Sequence, residues 1–177
     1  MATQLLGTAE RLEIKELILM KRYYIAYGSN LNVAQMKRRC PTATILATAD
    51  LEGYELLFKG SLTGSYLTIE KNERGSVPVA IWEVNPADEL ALDCYEGLAG
   101  ANFYYKQNIK LTCKDIHTGE IKEIMAFAYI MHEERPIGIP SEFYLRTCLD
   151  GYEAFYFDKR VLMRAYEKCR GIVENER

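Results

Sequence analysis

The distribution of apolar residues along the chain predicts a fold rich in β-strands. Tyr23 to Tyr27 is a continuous apolar run, typical of a buried strand, and the polar sequence Gly28-Ser29-Asn30 closes it. Further strand-like runs, bounded by turn residues such as Gly and Asn, cover residues 44–51, 54–58, 66–70, 77–84, 103–113 and 121–130. Strands therefore make up most of the predicted elements.

Helix signals occur between and after these strands. The strongest one comes after residues 77–84, where Asn85 can cap a helix, Pro86 takes its first position, and two acids stand in its first turn. We expect this helix to run to Glu96 and to end at Gly97, because glycine readily adopts the left-handed terminating conformation. Two more helices are predicted over residues 141–149 and 158–169.

A short helix is also predicted directly after the first strand. Either Asn30 or Asn32 can cap it, and Pro41 ends it. Its apolar residues fall largely on one side, so the basic run Lys37 to Arg39 is expected to form a solvated face on the other.

This order of elements predicts an α+β fold with a mixed or largely antiparallel sheet, which can curl into a small β-barrel with flanking helices. The chain has 177 residues, which suits one domain, and we assign that domain to residues 20–177. Residues 1–19 differ in character from the rest of the chain, and Met20 would make a plausible start. We therefore expect segment 1–19 to be a leader or an appended helix outside the core fold.

Composition and charge narrow the classes of partner. The chain is 49% hydrophobic and 27% charged, as in ordinary globular proteins, and its formal net charge of -3 argues against a dedicated nucleic-acid binder. No run of ~18 apolar residues is present, so no membrane partner is predicted. Five cysteines without CxxC spacing and only two histidines indicate no metal site and favour a reducing, cytoplasmic location.

The loop Gly28 to Leu31 is the first candidate for chemistry. Successive backbone N–H groups between a buried strand and a helix start can hold a phosphate or a carboxylate. The alternative is an ordinary turn, because Gly, Ser and Asn are common in any loop. Neither GxGxxG nor GxxxxGK[ST] occurs here, so dinucleotide and P-loop chemistry are disfavoured.

Glu96 is the second candidate. It stands at the negative end of the predicted helix dipole, which disfavours a carboxylate, and aromatic neighbours such as Tyr95 would shield it from water. Both effects would raise its pKa, as a general acid/base requires. The alternative is an exposed glutamate with no special role.

Taken together, these motifs resemble the gamma-glutamylcyclotransferase family. The resemblance rests on the YGSN loop of Tyr27 to Asn30 and on the LDxxEG helix end of Leu92 to Gly97, in this order along the chain. Supporting similarities extend it over about residues 22–168. It implies a small closed β-barrel with flanking helices.

The resemblance also implies a reaction. The α-amine of a γ-glutamyl amide attacks its own γ-carbonyl, and 5-oxoproline and a free amino acid or amine are released, as in glutathione metabolism. Glu96 would move the protons as general acid/base. The residues implied to bind the substrate are Tyr27, Gly28, Ser29, Asn30, Leu31, Tyr104, Tyr105 and Tyr129. The reaction needs no metal or other cofactor.

The sequence leaves several points open. Tyr104 and Tyr105 are alternatives for one family position, since only one of them can face the barrel interior. The aromatic stretch Gly151 to Phe157 departs from the family pattern, which leaves the leaving group open. A γ-glutamylamine or antibiotic-tailoring cyclotransferase, and a non-catalytic binding module on the same fold, are the alternative functions. The oligomeric state can be a monomer or a homodimer.

The chain also contains 13 tyrosines but only one Trp. Most of the tyrosines near the two motifs are expected around one pocket, as apolar walls that raise the pKa of Glu96 while their hydroxyls contact a polar substrate. This set comprises Tyr23, Tyr24, Tyr27, Tyr95, Tyr104, Tyr105 and Tyr129.

Overall fold

A closed β-barrel of five strands lies at the centre of the fold, within the residues that the computed structural model describes: 21–60, 64–96 and 103–175. The strands are β1 (Arg22–Ala26), β2 (Thr44–Gly60), β3 (Ser65–Val84), β4 (Tyr104–Asp115) and β5 (Ile121–Met131). Their order around the barrel is β1-β3-β2-β4-β5. Neighbours are antiparallel except β1 and β5, which run parallel and close the barrel. The predicted α+β class with a small mixed barrel is confirmed.

Four helices flank the barrel in the described ranges. A 3-10 turn (Ser29–Leu31) leads from β1 into α1 (Val33–Arg39), and α2 (Pro86–Tyr95) connects β3 with β4. After β5 come α3 (Glu142–Ala154) and α4 (Lys159–Asn175). Across the described part of the chain, none of these helices has the length and apolar character needed to cross a membrane.

The predicted start of α2 is confirmed. The Asn85 side chain accepts a hydrogen bond from the Asp88 N–H, and the Asp88 carboxylate accepts one from the Asn85 N–H, so the two residues form a capping box. The helix ends at Tyr95, with Glu96 as its C-cap residue. The predicted terminator Gly97 and the segment 1–19 both lie outside the described residues.

β2 and β3 are each one long strand where the sequence predicts two. Gly53 in β2 adopts a φ of 79°, and the register shifts at this point, so that residues 72–75 bulge from β3 without reversing the chain. Gly75 is needed in the bulge because a Cβ atom there would lie 2.2 Å from the Tyr54 carbonyl oxygen. Gly53 and residues 72–75, which we expected to separate strands, thus mark a bulge within two continuous strands.

The barrel strands and the helices share one hydrophobic core. In β4, Ile109, Leu111 and Cys113 are buried while the residues between them are exposed, as the two-residue period of a strand requires. On the outside of β2, α4 packs closely enough for the Cys169 Sγ to accept a hydrogen bond from the Phe58 N–H at 3.3 Å.

The approach of α3 to the turn after β1 matters most for the site. Gly151 lies within α3, and an added Cβ atom would come within 2.6 Å of the Leu31 Cβ and 2.8 Å of the Asn32 nitrogen. The glycine therefore allows the helix to rest directly on the loop backbone.

Candidate active site

A cavity of about 380 Å³ lies beside the loop that comes after β1. Most of its wall is aromatic, and seven tyrosines contribute: Tyr24, Tyr27, Tyr66, Tyr95, Tyr104, Tyr129 and Tyr144. The other described lining residues are Gly28, Ser29, Asn30, Leu67, Glu96 and Phe103. Among these described residues, Glu96 has the only charged side chain. The structure thus brings the loop and the candidate acid to one tyrosine-lined cavity.

The backbone N–H groups at the start of the 3-10 turn are the donors that the loop can offer to a ligand. The N–H groups of Ser29 and Asn30 lie in the first turn of this helix, so they have no partner within it. The Leu31 N–H donates to the Gly28 carbonyl at 2.9 Å, and the Asn32 N–H donates to the Ser29 carbonyl at 3.0 Å. Leu31 is buried in the core and does not line the cavity. The expectation that the Leu31 amide faces a substrate is therefore corrected.

Close packing fixes the position of the loop. A Cβ atom on Gly28 would lie 3.3 Å from the Tyr144 Oη and 3.4 Å from the Leu67 Cβ. The Tyr144 hydroxyl oxygen accepts a hydrogen bond from the Leu67 N–H at 3.2 Å, and its ring meets Tyr66 edge to face. The loop is thus enclosed by α3 on one side and β3 on another.

Glu96 lies half-buried where α2 ends. Its N–H donates to the Leu92 carbonyl at 2.8 Å, and its Oε1 accepts a hydrogen bond from the Asn30 Nδ2 at 3.4 Å. Burial raises the pKa of Glu96 from 4.5 to about 7, although the Arg39 guanidinium and the Asn30 amide lower it in part. A carboxyl group with a pKa near neutrality can both accept a proton and return it.

Tyr104 and Tyr105 fall on opposite sides of β4. Tyr104 lines the cavity, and its hydroxyl donates to the Leu67 carbonyl at 3.1 Å. The Tyr105 ring instead packs 5.2 Å from the His132 ring, outside the set of described lining residues. Tyr104 is therefore the one of the pair that can meet a ligand in this cavity.

A chain of hydrogen bonds connects the far wall with α2. The Tyr27 hydroxyl donates to the Tyr129 carbonyl, and the Tyr129 hydroxyl donates to the Asp93 carboxylate. The Lys106 Nζ lies 2.7 Å from the same carboxylate. Because Asp93 stands three residues before Glu96, these contacts hold the end of α2 against β5.

Arg39 is a site neighbour that the sequence analysis missed. Instead of pointing into solvent, its guanidinium lies 3.4 Å from the centre of the Tyr95 ring and donates a hydrogen bond to the Asn30 Oδ1. One signal could have found it: Arg39 stands three positions after the buried Met36, and this spacing puts two residues on the same side of a helix.

The prediction that Tyr23 belongs to the pocket also needs correction. Tyr23 is outside the set of described residues that line the cavity, whereas Tyr66 and Tyr144, which were not expected there, belong to it. The divergent stretch Gly151 to Phe157 packs only in part against the core: the Phe155 ring lies 6.4 Å from Trp82, whereas Tyr156 is 96% exposed. This stretch contributes no residue to the described lining of the cavity.

Comparisons with known proteins show which family the chain is similar to. A family model described as "Gamma-glutamyl cyclotransferase, AIG2-like" matches residues 24–146. The gamma-glutamylcyclotransferases of Mus musculus and Homo sapiens are each 28% identical to the chain over 162 residues, which is 86% of the chain and 79% of the relative. A solved structure of a gamma-glutamyl cyclotransferase is 25% identical and superposes with a TM-score of 0.66, over 85% of this chain and 87% of that one.

Proposed function

Because this chain belongs to the gamma-glutamyl cyclotransferase, AIG2-like family, we propose that it cleaves a γ-glutamyl amide and releases 5-oxoproline together with a free amino acid or amine. The observation that carries the proposal is Glu96, a half-buried carboxyl group with a pKa of about 7 that faces the cavity beside the loop amides. A protein that merely bound the carboxylate of a γ-glutamyl group would gain nothing from a negative group at this place.

Glu96 is proposed to act as general base and then as general acid. Its carboxylate accepts a proton from the substrate α-ammonium, and the freed amine attacks the γ-carbonyl carbon to form a five-membered ring. Glu96 then returns this proton to the leaving nitrogen as the amide C–N bond breaks. It accepts the second proton that the ring nitrogen must lose and passes it to the released amine, which leaves as an ammonium. Atoms and protons balance with no enzyme nucleophile. Much of the acceleration is expected from holding the amine close to the carbonyl.

The loop and the tyrosines are proposed to hold the γ-glutamyl group. The Ser29 and Asn30 N–H groups can donate to its carboxylate or carbonyl oxygens, and Gly28 leaves space beside them. The hydroxyl protons of Tyr27 and Tyr104 are committed to backbone carbonyls. Their oxygen lone pairs remain, so these two oxygens suit the substrate α-ammonium, which has protons to donate.

A substrate panel tests this proposal. The purified chain is incubated with γ-glutamyl-alanine, ε-linked γ-glutamyl-lysine and a γ-glutamylated aminoglycoside, and 5-oxoproline is measured. Turnover of one class identifies the leaving group and separates an amino-acid cyclotransferase from a γ-glutamylamine or antibiotic-tailoring enzyme. Tight calorimetric binding of 5-oxoproline without turnover of any amide would instead indicate a binding module.

The pH dependence of kcat/KM gives a further prediction. The reaction needs Glu96 as carboxylate, and burial raises its pKa to about 7, so activity should fall as pH drops through about 7. Below that point the loss should approach tenfold per pH unit. The measurement is kcat/KM for 5-oxoproline release between about pH 4 and pH 8.5 on one amide. If the acidic limb of the pH profile instead has its midpoint near the ordinary glutamate pKa of 4.5, the proposed role of Glu96 is contradicted.

A further inference from the structure

Arg39 is connected to Glu96 through a single side chain. The guanidinium rests on the face of the Tyr95 ring and donates to the Asn30 Oδ1. On its other end, the Asn30 amide donates from Nδ2 to the Tyr24 hydroxyl at 2.8 Å and to the Glu96 Oε1 at 3.4 Å. Arg39 is not one of the described residues that line the cavity, and the Asn30 side chain lies between it and Glu96.

The donors and acceptors of Arg39 and Asn30 determine which way the Asn30 amide faces. An amide side chain can turn over and exchange its oxygen with its nitrogen, and only its partners decide which way it faces. A guanidinium has donors and no acceptor, so the group of Asn30 that faces Arg39 must be the oxygen. The Asn30 nitrogen must then face Tyr24 and Glu96, where it can donate to the carboxylate.

We propose, on the premise that Glu96 is the proton-transfer group, that Arg39 is a positioning residue for the reaction. It locks the Asn30 amide in the orientation that donates to Glu96, and it holds a positive charge one amide group away from that carboxylate. The Tyr95 ring keeps the guanidinium in place, since a cation is attracted to the face of an aromatic ring.

Arg39 is also the one fixed charge that acts on Glu96 among the described groups. The other titratable groups that couple to Glu96 are six tyrosines of the surrounding walls: Tyr24, Tyr27, Tyr95, Tyr104, Tyr129 and Tyr144. Burial raises the pKa of each of these tyrosines, so their hydroxyls stay protonated where Glu96 titrates. Removal of Arg39 therefore leaves the carboxylate without a compensating charge.

The test compares pH profiles of kcat/KM for the wild type, Arg39→Met and Arg39→Lys. In Arg39→Met the acidic limb should move up by about one pH unit, because a nearby opposite charge lowers a carboxyl pKa by about 1 to 3 units. At about pH 6.5 this shift would appear as a loss of roughly tenfold beyond any change in the plateau. Arg39→Lys, which keeps the charge and a donor, should stay close to the wild-type limb.

Arg38→Met is the matched control, because Arg38 is an exposed neighbour on the same helix and the change in charge is identical. A role of Arg39 in folding alone would lower the plateau and the melting temperature without moving the limb. An unmoved limb in Arg39→Met, or an equal shift in Arg38→Met, overturns the proposal. If Arg39→Met does not fold, Arg39→Gln removes the charge while retaining a donor, and the same shift is expected.

A second readout does not depend on turnover. The carboxyl carbons of the glutamates are titrated by 13C NMR, and the Glu96 signal is the one absent from Glu96→Gln. A higher midpoint in Arg39→Met, with no 5-oxoproline from any amide tested, would support the inferred effect of Arg39 on Glu96 and reject the proposed function. If the enzyme releases 5-oxoproline but the Glu96 midpoint does not move in Arg39→Met, the proposed function is supported and the inference about Arg39 is rejected.

Discussion

Replacement of Glu96 by Gln is expected to abolish 5-oxoproline formation, with kcat/KM reduced by about a thousandfold or more. The glutamine amide fills the same space, but it can neither accept the proton of the α-ammonium nor return one to the leaving nitrogen. General acid/base catalysis contributes ~10² to 10⁴-fold, and here both proton transfers rely on one carboxyl group. The measurement is 5-oxoproline release at about pH 8 from the amide that the wild type processes best.

This variant should stay folded, and the sign of the pKa shift explains why. The pKa of Glu96 is raised in the fold, so its favourable contribution is fully present below about pH 4.5 and is lost as pH rises through about 7. At about pH 8 glutamine replaces a half-buried charge, and the melting temperature should not fall. The exposed Glu167 in α4 provides a control, because Glu167→Gln should keep full activity. Substantial turnover by Glu96→Gln would reject the mechanism.

Gly151→Ala should both destabilise the protein and slow turnover. The added Cβ atom would lie 2.6 Å from the Leu31 Cβ and 2.8 Å from the Asn32 nitrogen, and neither atom can rotate away. Overpacking of this kind costs about 1 to 3 kcal/mol, which corresponds to a melting temperature lower by roughly 2 to 12 °C at this chain length. Because the displaced backbone continues from Ser29 and Asn30, the substrate loop should shift with it.

Gly171→Ala makes the same chemical change in another helix and serves as the matched control. A Cβ atom at Gly171 meets nothing within 4 Å. Alanine should therefore stabilise α4 by about 0.5 to 1 kcal/mol, through its better helix propensity, and leave activity unchanged. Thermal unfolding and 5-oxoproline release are measured for both variants. Equal behaviour of the two would show that contact between α3 and the loop does not limit stability or turnover.

The parts of the fold and site that the sequence predicts are those specified by neighbours along the chain. The strand, loop and helix start around Gly28 follow from local residue types, and so does the capping box of Asn85. Glu96 is distinguished by its place at the end of a helix, next to aromatic residues. In each case the physical cause acts within a few residues, so a local pattern contains it.

The parts that could not be predicted depend on contacts between distant residues. Tyr66 and Tyr144 meet only because α3 folds back against β3, and no local pattern marks either residue as part of a pocket. From the sequence, the Leu31 N–H is expected to donate to a substrate, because the sequence does not show that this N–H already donates to the Gly28 carbonyl within the turn. Gly53 resembles a strand end, since a glycine with a positive φ occurs both in some β-bulges and in several types of turn.

The contact between α3 and the loop also has a consequence for biosynthesis. Leu31 and Gly151 touch, yet 120 positions separate them (151 − 31). At ~5 to 20 residues per second, the ribosome reaches Gly151 roughly 6 to 24 s after Leu31. Throughout that interval the nascent loop lacks the helix that it rests on, and Tyr144 is missing from its wall for most of it. Chains interrupted before α3 should therefore be devoid of activity rather than partly active.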